Sequence, residues 1–150
     1  MNIGVLALNR KHKANKLFKN GFNCTQSVFS SFLPSKQESI GYRIGEVFGG
    51  GITGLGNVCG AITGALMVIG YYHGRMTAKD NKTKQLARSL ADQFLERFKE
   101  VHGDIICRTL LGYDISTPEK LDKARKEEAF QNCSTFVATA VEILEDVLKN

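Results

Sequence analysis

The sequence predicts an all-α fold: a single-domain helical bundle of about seven to eight helices, one four-cysteine domain over residues 1–150. Three observations lead there. Apolar residues recur three and four apart over long stretches instead of alternating. Only two prolines, Pro34 and Pro118, interrupt the chain, and proline is the residue a helix interior tolerates least. Finally, 150 residues with 43% hydrophobic content suit one closed core, and no linker composition divides them.

The elements can be placed in order. A first helix spans about Asn9 to Lys19, with Ala14 and Phe18 four apart and Asn20-Gly21 as its stop. Asn23 is placed to cap a second helix, whose face carries Cys24, Val28 and Phe32 before Pro34 ends it. A third runs from about Ser35 to Phe48 on an apolar stripe of Ile40, Ile44, Val47 and Phe48, weakened by Gly41 and Gly45. Five glycines between Gly49 and Gly56 lose too much backbone entropy on ordering to stay helical, so this stretch is a glycine-rich loop.

The fourth helix, about Asn57 to His73, aligns Cys59, Ile62, Leu66 and Ile69 beside a strip of small residues, Gly60, Ala61, Gly64 and Ala65, that permits close backbone contact. The fifth, about Asp80 to His102, is amphipathic through Leu86, Leu90, Phe94, Phe98 and Val101. Asp104 is expected to cap a short sixth helix holding Cys107 and closed by Gly112. Thr117-Pro118-Glu119 has the cap, first-turn proline and early acid of a helix start, here a charged and largely exposed seventh helix. Asn132 opens the eighth, repeating the Asn-Cys device of residues 23–24 before an apolar face of Val137, Ala140, Val141 and Leu144.

The net charge of +5 is uneven. Arg10, Lys11, Lys13, Lys16, Lys19 and Lys36 lie in a stretch, residues 1–37, without a single acid. Such a segment could draw an acidic partner or lipid surface, though a solvated helix face is the simpler reading. No aromatic platform accompanies it, so no nucleic-acid partner is expected. Ile3 to Leu8 is too short for a secretory signal, and Val58 to Tyr72 is glycine-interrupted and too short for a membrane span. A cytoplasmic protein that does not span a membrane is the expectation.

In such a compartment four cysteines act more readily as redox thiols, metal ligands or small buried residues than as permanent disulfides. No C-x-x-C occurs, so a shared site has to be assembled by the fold. Each of Cys24, Cys59, Cys107 and Cys133 falls within the first turn or so of an expected helix, where unpaired N–H groups and the helix dipole favour a thiolate. Arg108 would add to this if it faced the same site. The four helices are the second, fourth, sixth and eighth. If neighbours alternate in direction, their starts gather at one end as a semi-buried sulfur cluster beneath the glycine loop.

Other chemistries find less support. Gly49, Gly51 and Gly54 fit G-x-G-x-x-G, but no strand precedes them and no acid follows before Asp80. His73 lies about 21 Å along its helix from Cys59 at standard rise, so the two cannot pair within that helix.

The segment Cys59-Gly60-Ala61-Ile62-Thr63-Gly64 resembles the motif of a bacterial and archaeal family named C_GCAxxG_C_C, the putative redox-active proteins. Gly21-Phe22-Asn23-Cys24 is similar to that family's first cysteine segment, Gly49-Gly50-Gly51 to its glycine loop, Cys107-Arg108-x-Leu110-Leu111-Gly112 to its third segment and Cys133 to its fourth cysteine. The resemblance covers most of the chain. It implies a role in thiol/disulfide chemistry or electron transfer, with the four cysteines as redox thiols, Gly60 and Gly64 as motif backbone beside a cofactor, and a redox partner protein or a transporter as associate. Four thiolates also match the ligand count of an iron–sulfur cluster or a zinc site, so the same cysteines are candidate metal ligands. A helical interaction module whose cysteines merely fill the core is the competing class.

Overall fold

A computed structural model describes residues 3–149, with side chains from Asn9 onward. The side chains of Ile3 to Leu8 and the outermost positions of the expected 1–150 domain thus lie outside the described residues. Among those described, eight α-helices form an all-α domain: α1 (Ile3–Lys19), α2 (Cys24–Phe32), α3 (Glu38–Gly45), α4 (Gly60–His73), α5 (Asn81–His102), α6 (Cys107–Leu111), α7 (Pro118–Lys126) and α8 (Cys133–Val147). Helix α1 begins six residues earlier than expected, and single 3₁₀ turns at Ser35–Gln37 and Glu46–Phe48 flank a shortened α3.

The centre is a layer of α2, α4 and α8, with α1 and α3 packed on α2 and α5 packed on α4 and α8. Val28, Ile62, Val68, Phe94, Phe98, Val137 and Leu144 fill the space between them and are almost fully removed from water. Fully burying each such side chain contributes about 1.5–3 kcal/mol. A second, smaller cluster of Cys107, Ile115 and Ala124 holds α6 and α7 together beside this core.

Two apolar stripes depart from expectation. On α3 and the 3₁₀ turn that follows it, Ile40, Ile44 and Val47 are 49%, 47% and 60% exposed. The buried face is instead the glycine face. A Cβ on Gly41 would run into Ser30 Oγ, and one on Gly45 would lie 2.9 Å from Gln26 Cγ and 3.1 Å from its backbone. The two glycines therefore let α3 lie directly on α2, which turns the isoleucines outward. Ile44→Lys is expected to change stability by no more than about 0.5 kcal/mol, whereas a core isoleucine would unfold the protein; urea denaturation midpoints check this. On α5, Leu90, Phe94 and Phe98 are buried but Leu86 and Val101 are exposed. At 22 residues α5 is about 33 Å long, well beyond its neighbours α4 (14 residues) and α8 (15 residues), so both ends of its stripe overhang.

The basic N-terminal stretch is partly neutralised within the fold. Arg10 pairs with Glu145 at 2.9 Å, Lys11 with Glu142 and Lys13 with Glu38, so half of that segment's charge is spent tying α1 to α8 and α3. No described helix is long and apolar enough to cross a membrane.

Candidate functional site: a four-thiol cavity

The glycine-rich segment does more than turn the chain. Gly50, Gly51, Ile52, Thr53 and Gly54 all have φ between +47° and +79°, five consecutive residues with left-handed φ. For an L-residue this conformation costs roughly 1–2 kcal/mol, and Ile52 and Thr53 adopt it without glycine's freedom. Hydrogen bonds across the loop hold it: Thr53 N–H donates to the Val47 carbonyl (2.8 Å), Gly54 N–H to Gly49 (3.1 Å) and Asn57 N–H to Gly51 (2.9 Å).

Asn23 joins the end of α3 to the start of α2. Its Oδ1 accepts from Gln26 N–H at 2.9 Å, and Gln26 Oε1 accepts from Asn23 N–H in return, a complete capping box. Its Nδ2 donates to the carbonyls of Gly45 and Glu46, both at 3.1 Å. The residue after this cap is Cys24, at the first position of α2.

Cys59 is the N-cap residue of α4 and Cys107 the first residue of α6. They are set side by side by a short antiparallel pairing of Val58 with Ile106. In it Cys59 N–H donates to the Ile105 carbonyl (2.9 Å) and Cys107 N–H to Asn57 (2.6 Å). Asp104 does not cap α6 as expected. Its carboxylate takes the N–H groups of Ile105 and Ile106, one turn too early, and shapes the approach to this pairing.

Cys133 is the first residue of α8, but the likeness of its surroundings to Asn23-Cys24 is only partial. Asn132 makes no side-chain cap and already has helical backbone angles, because the turn at Phe130 (Cys133 N–H to its carbonyl, 3.0 Å) leads the chain into the helix prewound.

The starts of the alternate helices converge, as expected, on one place. Cys24, Cys59, Cys107 and Cys133 line one cavity of about 170 Å³, closed on its other sides by Phe18, Leu110, Leu111, Phe130 and Phe136. Cys59, Cys107 and Cys133 are 3%, 8% and 5% exposed, while Cys24 is half-buried. Gly50 and Gly60 complete the wall.

The motif glycines let two helices pack closely. A Cβ on Gly60 would sit 2.9 Å from Thr25 Oγ1 and 3.0 Å from Cys24 Cβ; one on Gly64 would sit 2.8 Å from the Thr25 carbonyl and 3.1 Å from Val28. Their absence of side chains lets α4 press onto the first turn of α2, which brings Cys59 beside Cys24. Thr25 and Thr63 hydroxyls meet at 3.0 Å across this contact.

The expectation that every cysteine favours its thiolate is corrected by burial. Removal from water pushes Cys59 up to about 11, although the N–H groups of Ala61 and Ile62 at the helix start pull the other way. Burial, with the neighbouring sulfurs, pushes Cys107 up to about 12. A helix start offers a partial charge, and a nearly dry apolar cavity outweighs it. Arg108 does not help, since its stem runs over Gly56 and it takes no part in the cavity. Cys133 alone is lowered, by its interaction with the neighbouring Cys24 thiol; the same interaction, followed by burial, raises Cys24. Two of the four sulfurs thus form an interacting pair and two are held as neutral thiols.

Among the described residues no group of three or more Cys, His, Asp or Glu side chains is arranged to hold a metal ion. His102 is wedged between the rings of Phe98 (4.7 Å) and Phe136 (4.9 Å), and burial lowers its pKa. The aromatic walls Phe130 and Phe136 were not foreseen as part of the site; their positions three residues before and three after Cys133 are the signal that points to them.

No curated protein and no solved structure matches the chain. A family model described as Putative redox-active protein (C_GCAxxG_C_C) matches residues 22–147. That span holds all four cavity cysteines and the Cys59-to-Gly64 motif that packs two of them together, and the chain belongs to this family.

Proposed function

We propose that the protein is a thiol/disulfide redox protein in which Cys133 is the nucleophile and Cys24 the resolving thiol. The observation that carries this is the shared cavity, onto which Cys24 and Cys133 open from the starts of two helices; their interaction there lowers the pKa of Cys133 and leaves Cys24 beside it as a partner. Family membership supports redox activity in general.

In the reaction, the Cys133 thiolate attacks one sulfur of a disulfide and displaces the other as a thiolate. Cys24 then loses its proton and attacks Cys133 Sγ, releasing the second half of the substrate. Two protein thiols become one disulfide, two electrons pass to the substrate, and the two thiol protons leave on its two halves. Cys59 and Cys107 stay protonated near neutral pH and form the wall against which this exchange takes place. The half-buried Cys24 offers the more open edge of the pair.

Mild oxidation of the reduced protein, followed by peptide mapping under non-reducing conditions, is expected to yield a Cys24–Cys133 disulfide as the main product, with Cys59 and Cys107 recovered as free thiols. A predominant Cys59–Cys107 bridge, or four thiols inert to oxidant, would overturn the assignment.

A further inference from the structure

The cavity has a chemical character that thiol exchange by itself does not require. Apart from the cysteines, none of its lining residues can carry a charge. The one polar amide in its wall, Asn23, is already occupied: its oxygen by Gln26 N–H and its nitrogen by two backbone carbonyls. Arg108, the basic residue nearest in sequence to a cavity cysteine, lies along Gly56 instead. A carboxylate or phosphate brought to Cys133 would lose its water and find no partner, a heavy penalty for a buried ion.

The size is equally informative. At about 170 Å³ the space is close to that of an apolar cavity of about 150 Å³ that stays dry and accepts benzene. Its walls include three phenylalanines, Phe18, Phe130 and Phe136, which favour an apolar, ring-shaped guest.

We propose, resting on the thiol/disulfide reading above, that the substrate of this site is a small uncharged disulfide bearing an apolar, ring-sized substituent, in preference to peptide-like or anionic disulfides. One ring enters among the phenylalanines and presents its sulfur to Cys133. The Cys133 thiolate forms the new S–S bond and the outer half leaves; Cys24 then displaces the inner half, and the two halves depart as thiols carrying the two protons. The reduced protein is the two-electron reductant, stoichiometric in a single turnover.

The test compares reagents in stopped flow on the reduced full-length protein: 4,4′-dithiodipyridine, which is uncharged near pH 7.5, the dianionic 5,5′-dithiobis(2-nitrobenzoate), and oxidised glutathione. Each rate is divided by that of N-acetylcysteine with the same reagent, which removes intrinsic reactivity. The uncharged aromatic disulfide is expected to lead both charged ones by at least about 100-fold, as burial of an unpaired ion demands. Leu110→Lys, which places a cation at the cavity wall, is expected to shrink that ratio at least tenfold, and the wild-type ratio is decisive even if the variant fails to fold. Normalised rates within about threefold of one another would overturn the proposal. Methyl methanethiosulfonate, uncharged and needing no room for a ring, separates the two ideas. If it modifies Cys133 quickly while the aromatic reagents show no preference, the substrate class is wrong and the thiol pair stands. If Cys133 is inert to every reagent, both fall.

Discussion

Cys133→Ser is expected to reduce the rate of disulfide exchange by more than about 100-fold at pH 7.5, while Cys24→Ala leaves the first step in place and stalls at a mixed disulfide on Cys133. The asymmetry follows from the interaction of the two thiols. A thiol reacts through its thiolate, so the fraction ionised sets how much nucleophile is present. Cys133 is lowered from the ordinary 9.0 by the Cys24 thiol beside it; a serine hydroxyl in its place is not ionised at all. In a pH series of alkylation read by mass spectrometry, Cys133 should therefore titrate below 9.0, Cys59 near 11 and Cys107 near 12. Removing the Cys24 thiol in Cys24→Ala leaves burial as the opposing influence, so the Cys133 midpoint should move upward and its alkylation at pH 7.5 should slow. A Cys133 midpoint at or above that of Cys59 would sink the assignment of nucleophile, and an unchanged midpoint in Cys24→Ala would show that Cys24 is not its cause.

The same contest between local field and burial decides what the sequence discloses. Helix starts and stops are legible where a single residue's backbone chemistry dictates them. Thr117 accepts from Lys120 N–H ahead of Pro118, and Gly103 and Gly112 terminate α5 and α6 with left-handed angles. Because all four cysteines stand at the starts of alternate helices, their gathering at one end could be anticipated from order alone. The state of each sulfur could not, because a thiol's acidity depends on which atoms exclude water from it, and Phe130 and Phe136 reach Cys133's cavity only through the fold. The α3 stripe misleads for a related reason. Periodicity locates an apolar face, but Gly41 and Gly45, about 100° further round the helix than Ile40 and Ile44, offer α2 a closer approach than any isoleucine, and the closer face is the one buried. Likewise Asn132 has the residue type of a cap, yet the turn preceding it has already set helical angles, so the cap has nothing to do.

Gly51→Ala is expected to destabilise the protein by about 3 kcal/mol or more, against about 1 kcal/mol for Gly54→Ala, although the two glycines have similar backbone angles, φ +67° and +79°. The shared part is the left-handed conformation, which any Cβ opposes. The difference lies in the surroundings. Nothing lies within 4 Å of a Cβ built on Gly54, whereas one on Gly51 would come 2.5 Å from Asn57 N, 2.7 Å from the Gly56 carbonyl carbon and 2.7 Å from Cys107 Cβ. None of these is the free end of a side chain, so the overlap is relieved only by moving backbone. The backbone in question carries the Asn57 carbonyl that receives Cys107 N–H and the Gly56 carbonyl that receives Arg108 N–H. Strain at Gly51 therefore falls on the start of α6 and on Cys107, and any population of Gly51→Ala that folds should alkylate Cys107 faster than the wild type does, with Gly54→Ala unchanged in this respect. Denaturant midpoints give the first comparison and thiol-resolved mass spectrometry the second. Equal stability losses for the two variants would mean that glycine at 51 serves only its own φ angle, and that the loop does not brace the wall of the cysteine cavity.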